Sequence, residues 1–232
     1  MHLVTAAASR PIPVSGENRA DAIPIGTPMR VILASASPRR AQILRDAGIP
    51  FEIARANVSE RRKRGENAVA MTRRLAQAKA QAVARKLGKK HLGAIVVGAD
   101  TTVEVKGELL GKPQSLAEAS KMLRKLAGRT HRVVTSVAAI RLPDHAQAIA
   151  TETTRVRFAP LSADDIAEYV ATGEPLGKAG AYAVQGIGGR FIEGIDGCYF
   201  NVVGLPLTRF YRLLIDLGWR PAPKRGRRKS AR

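Results

Sequence analysis

Ile32-Leu33-Ala34-Ser35-Ala36-Ser37-Pro38-Arg39-Arg40 frames the whole chain. An apolar, strand-like run passes through small residues and closes on a proline and two arginines. Ser37 is a residue type favoured at helix N-caps, and Pro38 fits the first helical position, where its missing N–H costs nothing. Leu44 and Ala47 continue an apolar helical face, and Gly48 can end the helix. A strand feeding a helix N-terminus aims unpaired backbone N–H groups and the positive end of the helix dipole at one place. The hydroxyls of Ser35 and Ser37 and two guanidinium groups at that place suit a phosphate or polyphosphate. Arg39 and Arg40 can each offer paired hydrogen bonds to phosphate oxygens. An ordinary capped helix with solvated arginines is the alternative reading.

Downstream, Phe51–Arg55 reads as a short strand, followed by Glu60 and the basic loop Arg61–Gly65. Glu66 to Leu87 is alanine-rich with few breakers. Val69, Leu75, Ala78, Ala82 and Val83 give it a helical apolar face, with Lys79 inside it and Gly88 at its end. The β-branched run Ala94-Ile95-Val96-Val97-Gly98-Ala99-Asp100-Thr101-Thr102-Val103 signals a buried strand. Its carboxyl end delivers Asp100, in the place where open α/β sheets put their chemistry. A hairpin follows, Val103–Val105 and Glu108–Leu110 around Lys106-Gly107, and hands over to Gly111-Lys112-Pro113, a stiff extended segment.

Ser115 and Glu118 form a capping box for a helix ending near Leu126, with Gly128 beyond it. Thr130–Ile140 and Ile149–Phe158 read as an antiparallel pair joined near Pro143-Asp144. Ser162 and Asp165 start a helix to about Ala171, and Thr172–Gly189 is a glycine-rich loop containing Gln185. Strands Phe191–Ile195 and Cys198–Val203 flank the turn Asp196-Gly197. Pro206 leads into an amphipathic helix through Leu217. Crossovers and hairpins both occur, so the expected class is α/β with a largely mixed sheet.

The 232 residues are 45% apolar, enough for a core, and no run of 18 apolar residues spans a membrane. Residues 1–29 hold several prolines and glycines and no apolar secretory segment, and read as a flexible leader. The lone Cys198 fits a reducing, cytoplasmic setting and reads as a small core residue. The net charge of +20 is concentrated in two places. Arg220 to Arg232 carries seven Lys/Arg and no acid, and Arg61 to Lys90 carries eleven against Glu66. Such excess favours anionic partners, nucleic acid included, or simply solvates a tail and a helix. No aromatic residues interleave these runs, which disfavours a single-strand stacking platform.

The chemistry-bearing candidates are cationic donors at Arg39, Arg40, Lys79 and Lys112, with acids at Glu60 and Asp100. Cations offset phosphate charge, while carboxylates hold a hard divalent ion or deprotonate a water. No Gly-x-Ser-x-Gly or Walker sequence is present. His2, His91, His131 and His145 show no metal-ligand spacing, and His131 reads as structural.

Ala34-Ser35-Ala36-Ser37-Pro38-Arg39-Arg40, Gly98-Ala99-Asp100-Thr101, Gly111-Lys112-Pro113, Gly180-Ala181-Tyr182-Ala183-Val184-Gln185-Gly186-Ile187-Gly188-Gly189 and Val203-Gly204-Leu205-Pro206-Leu207 together resemble the Maf family of nucleoside triphosphate pyrophosphatases. The likeness runs from about Val31 to Trp219. It implies a domain over residues 30–219, between the leader and a basic tail at 220–232. The implied fold is an elongated mixed sheet in two lobes with a central cleft, akin to inosine triphosphate pyrophosphatases. The implied reaction is hydrolysis of a nucleoside triphosphate to monophosphate and pyrophosphate, in the cytoplasm, with a divalent cation (Mg2+ or Mn2+).

By the same resemblance Asp100 is the proton acceptor. Ser35, Ser37, Arg39, Arg40, Lys79 and Lys112 bind phosphate, and Glu60 joins Asp100 at the metal. Ser59 departs from the pattern, since many relatives carry an acid there. The branch acting on dTTP and UTP carries Arg, Thr and Gln at three positions, here Arg39, Thr101 and Gln185. A glutamine amide offers a donor and an acceptor to a pyrimidine edge. The family also implies a homodimer. The alternatives are a 7-methyl-GTP or broad-range pyrophosphatase and, in another class, a nucleic-acid-binding protein using the basic tail.

Overall fold

The computed structural model describes residues 29–87 and 91–221. Residues 1–28 of the leader, Gly88 with Lys89 and Lys90, and the tail from residue 222 lie outside the described residues, and so do the roles expected of them.

Strand β1 (Arg30–Leu33) buries Val31, Ile32 and Leu33, so both of its faces are covered. It pairs in parallel with β2 (Phe51–Ile53) on one side and β3 (Ala94–Val105) on the other. The chain crosses between these strands through α1 (Pro38–Asp46) and α2 (Ala68–Leu87). All later pairings are antiparallel. β4 (Glu108–Leu110) folds back on β3, while β5 (Thr130–Arg141), β6 (Gln147–Phe158) and β7 (Ile192–Asp196) extend the sheet. The seven-stranded mixed sheet runs β2-β1-β3-β5-β6-β7, with β4 beside β3.

Alternation along β3 assigns its side chains to different layers. Ile95, Val97 and Ala99 pack with Leu44 of α1 and with Phe210 and Leu214 of α6 (Leu207–Asp216). Ala94 and Val96 turn the other way, onto Ala76, Ala80 and Ala84 of α2. Further along, Val103 and Val105 join a third cluster with Leu123 of α3 (Leu116–Leu126) and Tyr169 of α4 (Ala163–Ala171).

Several local expectations hold in atomic detail. Ser162 and Asp165 complete the expected reciprocal capping box, whereas at α3 half of it forms: Ser115 Oγ accepts from the Glu118 N–H at 3.1 Å, but the Glu118 carboxylate accepts the Gln114 N–H instead of that of Ser115. Gly48 and Gly128 close α1 and α3 with positive φ. His131 is structural. Its Nε2 lies 2.8 Å from the Tyr182 hydroxyl, its ring packs edge-on to Phe158, and burial pulls its pKa down to about 4, which keeps it neutral.

Other expectations are corrected. Cys198–Val203 is not a strand: Tyr199–Val203 forms helix α5 with Cys198 at its N-cap, and β7 pairs with β6 instead. A five-residue segment of two aromatics, an asparagine and two valines carries no usable period, and packing overrides its propensity. Buried Asn201 pins the helix, donating from Nδ2 to Val133 O and Thr154 Oγ1, both at 2.9 Å. Cys198 is half-buried rather than core. α2 begins at Ala68, because Asn67 Oδ1 accepts the Ala70 N–H at 2.8 Å and caps it. Its buried face carries Ala76, Ala80 and Ala84, where Ala78 and Ala82 were expected.

Candidate active site

β1 stops at Leu33, opposite Val97 of β3, and β4 does not begin to pair until Val103. On that edge of β3, residues 98–102 have no strand partner among the described residues, while β5 continues to pair on the other edge. This gap is the cleft. It opens on a cavity of about 340 Å³, and all ten site residues expected from the sequence line it. Asp100 is therefore not at the end of its strand but seventh in a twelve-residue one. It follows the end of β1, so the rule for carboxyl ends of parallel strands still locates it.

From β1 the chain turns through Ala34–Ser37 into α1. Ser37 occupies the N-cap, yet its hydroxyl makes no capping bond; instead Ser35 Oγ accepts the Ser37 N–H at 3.2 Å. The two arginines separate in role. Arg40 is buried and donates to protein acceptors through four hydrogen bonds. Nε donates to Gly204 O (2.8 Å), Nη1 to Ser35 Oγ (3.1 Å) and Ala99 O (2.9 Å), and Nη2 to Thr101 Oγ1 (3.0 Å). With four of its five N–H groups engaged, Arg40 braces the Ala34–Ser37 turn against β3 and has no paired fork left to offer a ligand. Arg39, half-buried on the cavity wall, has no hydrogen-bond acceptor among the described residues.

On the opposite face of β3 a glycine sets the geometry. A Cβ at Gly98 would lie 2.1 Å from Ala76 O and 2.7 Å from Ala80 N, both backbone atoms of α2. Only glycine lets helix and strand approach this closely. Lys79 sits on that helical face, and its Nζ reaches Asp100 Oδ1 at 2.7 Å and Glu60 Oε1 at 2.6 Å. Lys79 thus bridges two carboxylates rather than projecting free into the cavity. Lys112 closes the set, 3.3 Å from Glu60 Oε2.

The two carboxyls are driven apart. Burial lifts Asp100 above the usual carboxylate range, against the pull of Lys79 and Arg40. Burial also raises Glu60, but the hydrogen bond and charge of Lys79, aided by Lys112, outweigh it and leave Glu60 below its usual value. One acid is thereby suited to accept a proton and the other to stay ionised. Gln185 is exposed at the mouth, on a loop folded around Glu174, whose Oε2 accepts the Gly188 N–H at 3.3 Å.

Four contributors escaped the sequence reading: Gly98, the Gly204 carbonyl, Thr135 and the cavity wall at Tyr182. Gly98 left a readable signal, a glycine inside a β-branched run. The others depend on pairing register and on chain brought from over sixty residues away.

The Maf-like protein family matches residues 30–217. A dTTP/UTP pyrophosphatase of Symbiobacterium thermophilum is 48% identical over 190 residues, 82% of this chain and 95% of that protein. A dTTP/UTP pyrophosphatase of Koribacter versatilis is 46% identical over 190 residues, with the same coverage of each. Among solved structures, the Staphylococcus aureus Ham1 protein overlaps 56% of this chain and 72% of its own, with a TM-score of 0.41 and 20% identity.

Proposed function

The chain belongs to the Maf family, and we propose that it is a nucleoside triphosphate pyrophosphatase that converts dTTP and UTP to the monophosphate and pyrophosphate. One observation carries the reading. A buried carboxyl with a raised pKa, a half-buried arginine with no hydrogen-bond acceptor among the described residues and a helix N-terminus all face one cavity.

The triphosphate chain lies against the Ser35–Ser37 loop, with Arg39 and Lys112 supplying positive charge and Arg40 holding the loop rigid. A water attacks the α-phosphorus. The new bond is water oxygen to phosphorus, the bond broken joins that phosphorus to the bridging oxygen, and pyrophosphate leaves with the electron pair. Asp100 takes the water's proton; Oδ1 is held by Lys79, while Oδ2 has no donor among the described residues. Positioning and charge compensation supply most of the rate in such a transfer.

The donor set also fits a divalent cation. Glu60 and Asp100 both line the cavity and are brought together on Lys79, and their carboxylates are the hard oxygen donors such a cation takes. No group of three acidic, histidine or cysteine side chains assembles among the described residues, so Mg2+ or Mn2+ would be held by these two carboxylates together with substrate phosphate and water. Such an ion, when bound, neutralises charge on the phosphate oxygens. Among the described residues no helix is long and apolar enough to cross a membrane. The lone Cys198 fits a reducing compartment, and on that ground we assign the enzyme to the cytoplasm.

The exposed Gln185 amide reads the pyrimidine edge. In a panel of dTTP, UTP, CTP, ATP, GTP and 7-methyl-GTP, the wild type is expected to prefer dTTP and UTP. Gln185→Glu, which loses the amide donor, is expected to cut kcat/KM for these two by roughly ten- to a hundredfold. Unchanged dTTP and UTP turnover in that variant, or wild-type preference for 7-methyl-GTP, overturns the assignment of specificity.

A further inference from the structure

Thr101 and Thr135 stand directly opposite each other in the β3–β5 register, on the face that packs against α5. Thr135 is fully buried, does not line the cavity and carries no part of the chemistry described above. Its hydroxyl nevertheless terminates the scaffold on which Arg40 and Thr101 are held.

The proton directions follow from the donor inventory and the distances. A guanidinium can only donate, so Thr101 Oγ1 accepts from Arg40 Nη2 at 3.0 Å. A carbonyl can only accept, so Thr135 Oγ1 donates to Asn201 O at 3.1 Å. Thr135 has then spent its one proton, and the 2.9 Å contact between the two hydroxyls is a bond from Thr101 to Thr135. The competing arrangement would send the Thr101 proton to Gly204 O at 3.5 Å, beyond good O–H···O geometry, and would strand the Asn201 carbonyl. A single directed chain results: Arg40 to Thr101 to Thr135 to the Asn201 carbonyl of α5. Asn201 is itself tied to Val133 O and Thr154 Oγ1, so the chain is anchored across β5 and β6.

Two consequences bear on the site. Thr101 has no hydroxyl proton left for a ligand, so its influence on base choice passes through its methyl group and through Arg40. Arg40 in turn holds Ser35 and the Gly204 carbonyl, and both residues line the cavity. A buried hydroxyl chain of this kind holds its members tightly when complete and loosens them together when broken.

We propose that Thr135 is a positioning residue that sets the base selectivity of the cleft by orienting Thr101 and, through it, Arg40. This rests on the site being a pyrimidine nucleoside triphosphate pyrophosphatase.

The test is Thr135→Val, which keeps the shape and removes the hydroxyl, beside Thr135→Ser, which restores it. Two readouts are taken from each full-length protein. The first is solvent exchange of the Arg40 Nε–H by nuclear magnetic resonance, slow in the wild type because that proton is buried and bonded to Gly204 O. The second is the ratio of kcat/KM for dTTP to that for GTP. Thr135→Val is expected to speed the exchange at least fivefold and lower the ratio roughly tenfold, on the scale of one lost buried hydrogen bond. Thr135→Ser is expected to return both towards wild type. Leu142→Ala, a buried core change away from the chain, serves as the stability control and is expected to leave the ratio unchanged.

Fast exchange with an unchanged ratio overturns the selectivity role. Unchanged exchange in an active Thr135→Val enzyme overturns the proposal at its root. A wild type inactive on every triphosphate removes the hydrolase reading and this selectivity role with it, a failure seen before any variant is made.

Discussion

Lys79→Met is expected to lower dTTP and UTP turnover by roughly 10²- to 10³-fold and to shift the acid limb of the pH–rate profile upward. The ammonium lies within 2.7 Å of carboxylate oxygens on both Asp100 and Glu60, and the Lys79 and Asp100 side chains are each only 9% exposed. Methionine keeps the stem and deletes the charge. Asp100 must be ionised to accept a proton, and burial already raises its pKa while Lys79 pulls it down. Removing that pull raises the pKa further, so the active ionised form appears only at higher pH. Taking one partner from a buried pair also costs stability, about 3 kcal/mol or more. A Lys79→Met enzyme with wild-type turnover and an unmoved acid limb would show that the bridge plays no part in catalysis.

Gly98→Ala carries the second large effect, and it acts through backbone. A methyl group at this position meets the Ala76 carbonyl and the Ala80 amide of α2, not a flexible side chain that can swing aside. Either the helix lifts from the sheet or the strand bends. Overpacking of this kind costs roughly 1–3 kcal/mol or more, corresponding to about 2–12 °C in Tm for a domain of this size. Lys79 rides on the same helical face, so the displacement also lengthens its contacts with Asp100 and Glu60. A thermal melt and a kcat measurement on the same preparation check both parts. The expected outcome is a lower Tm with a fall in kcat; an unchanged Tm with full activity would mean that the close approach is not what seats the lysine.

The sequence spoke most clearly where a local rule acts alone. The β1–α1 junction, the capping pairs Ser115/Glu118 and Ser162/Asp165, and the long β5–β6 pair all appear where periodicity and cap chemistry place them. The ten site residues come to one cavity because six separate stretches of chain border the same gap in the β3 edge. Reading failed where residues are interchangeable locally. In an alanine-rich helix, Ala78 and Ala80 are equally apolar, and only Gly98 on the facing strand selects which of them is buried. In Tyr199–Val203, β-propensity points to a strand, and the bonds from Asn201 to β5 and β6 overrule it. The twin arginines look alike in sequence. Helical geometry turns Arg40 inward to Gly204, Ala99 and Thr101 and leaves Arg39 on the cavity wall.

The same separation explains why a single carboxylate can serve as the proton acceptor. The charge and hydrogen bonds of two lysines pull Glu60 below its usual pKa and favour its ionised form, whereas burial raises Asp100. The division of labour between two acids is set by how deeply each lies and which cations face it.

The most direct measurement is phosphorus nuclear magnetic resonance of the products formed from dTTP with Mg2+ by the wild type and by Asp100→Asn, which keeps the shape and removes the proton acceptor. The expected result is dTMP and pyrophosphate in equal amounts from the wild type, and turnover reduced by roughly 10²-fold or more in the variant. Orthophosphate with dTDP as the products, or an Asp100→Asn enzyme as fast as the wild type, would contradict the account.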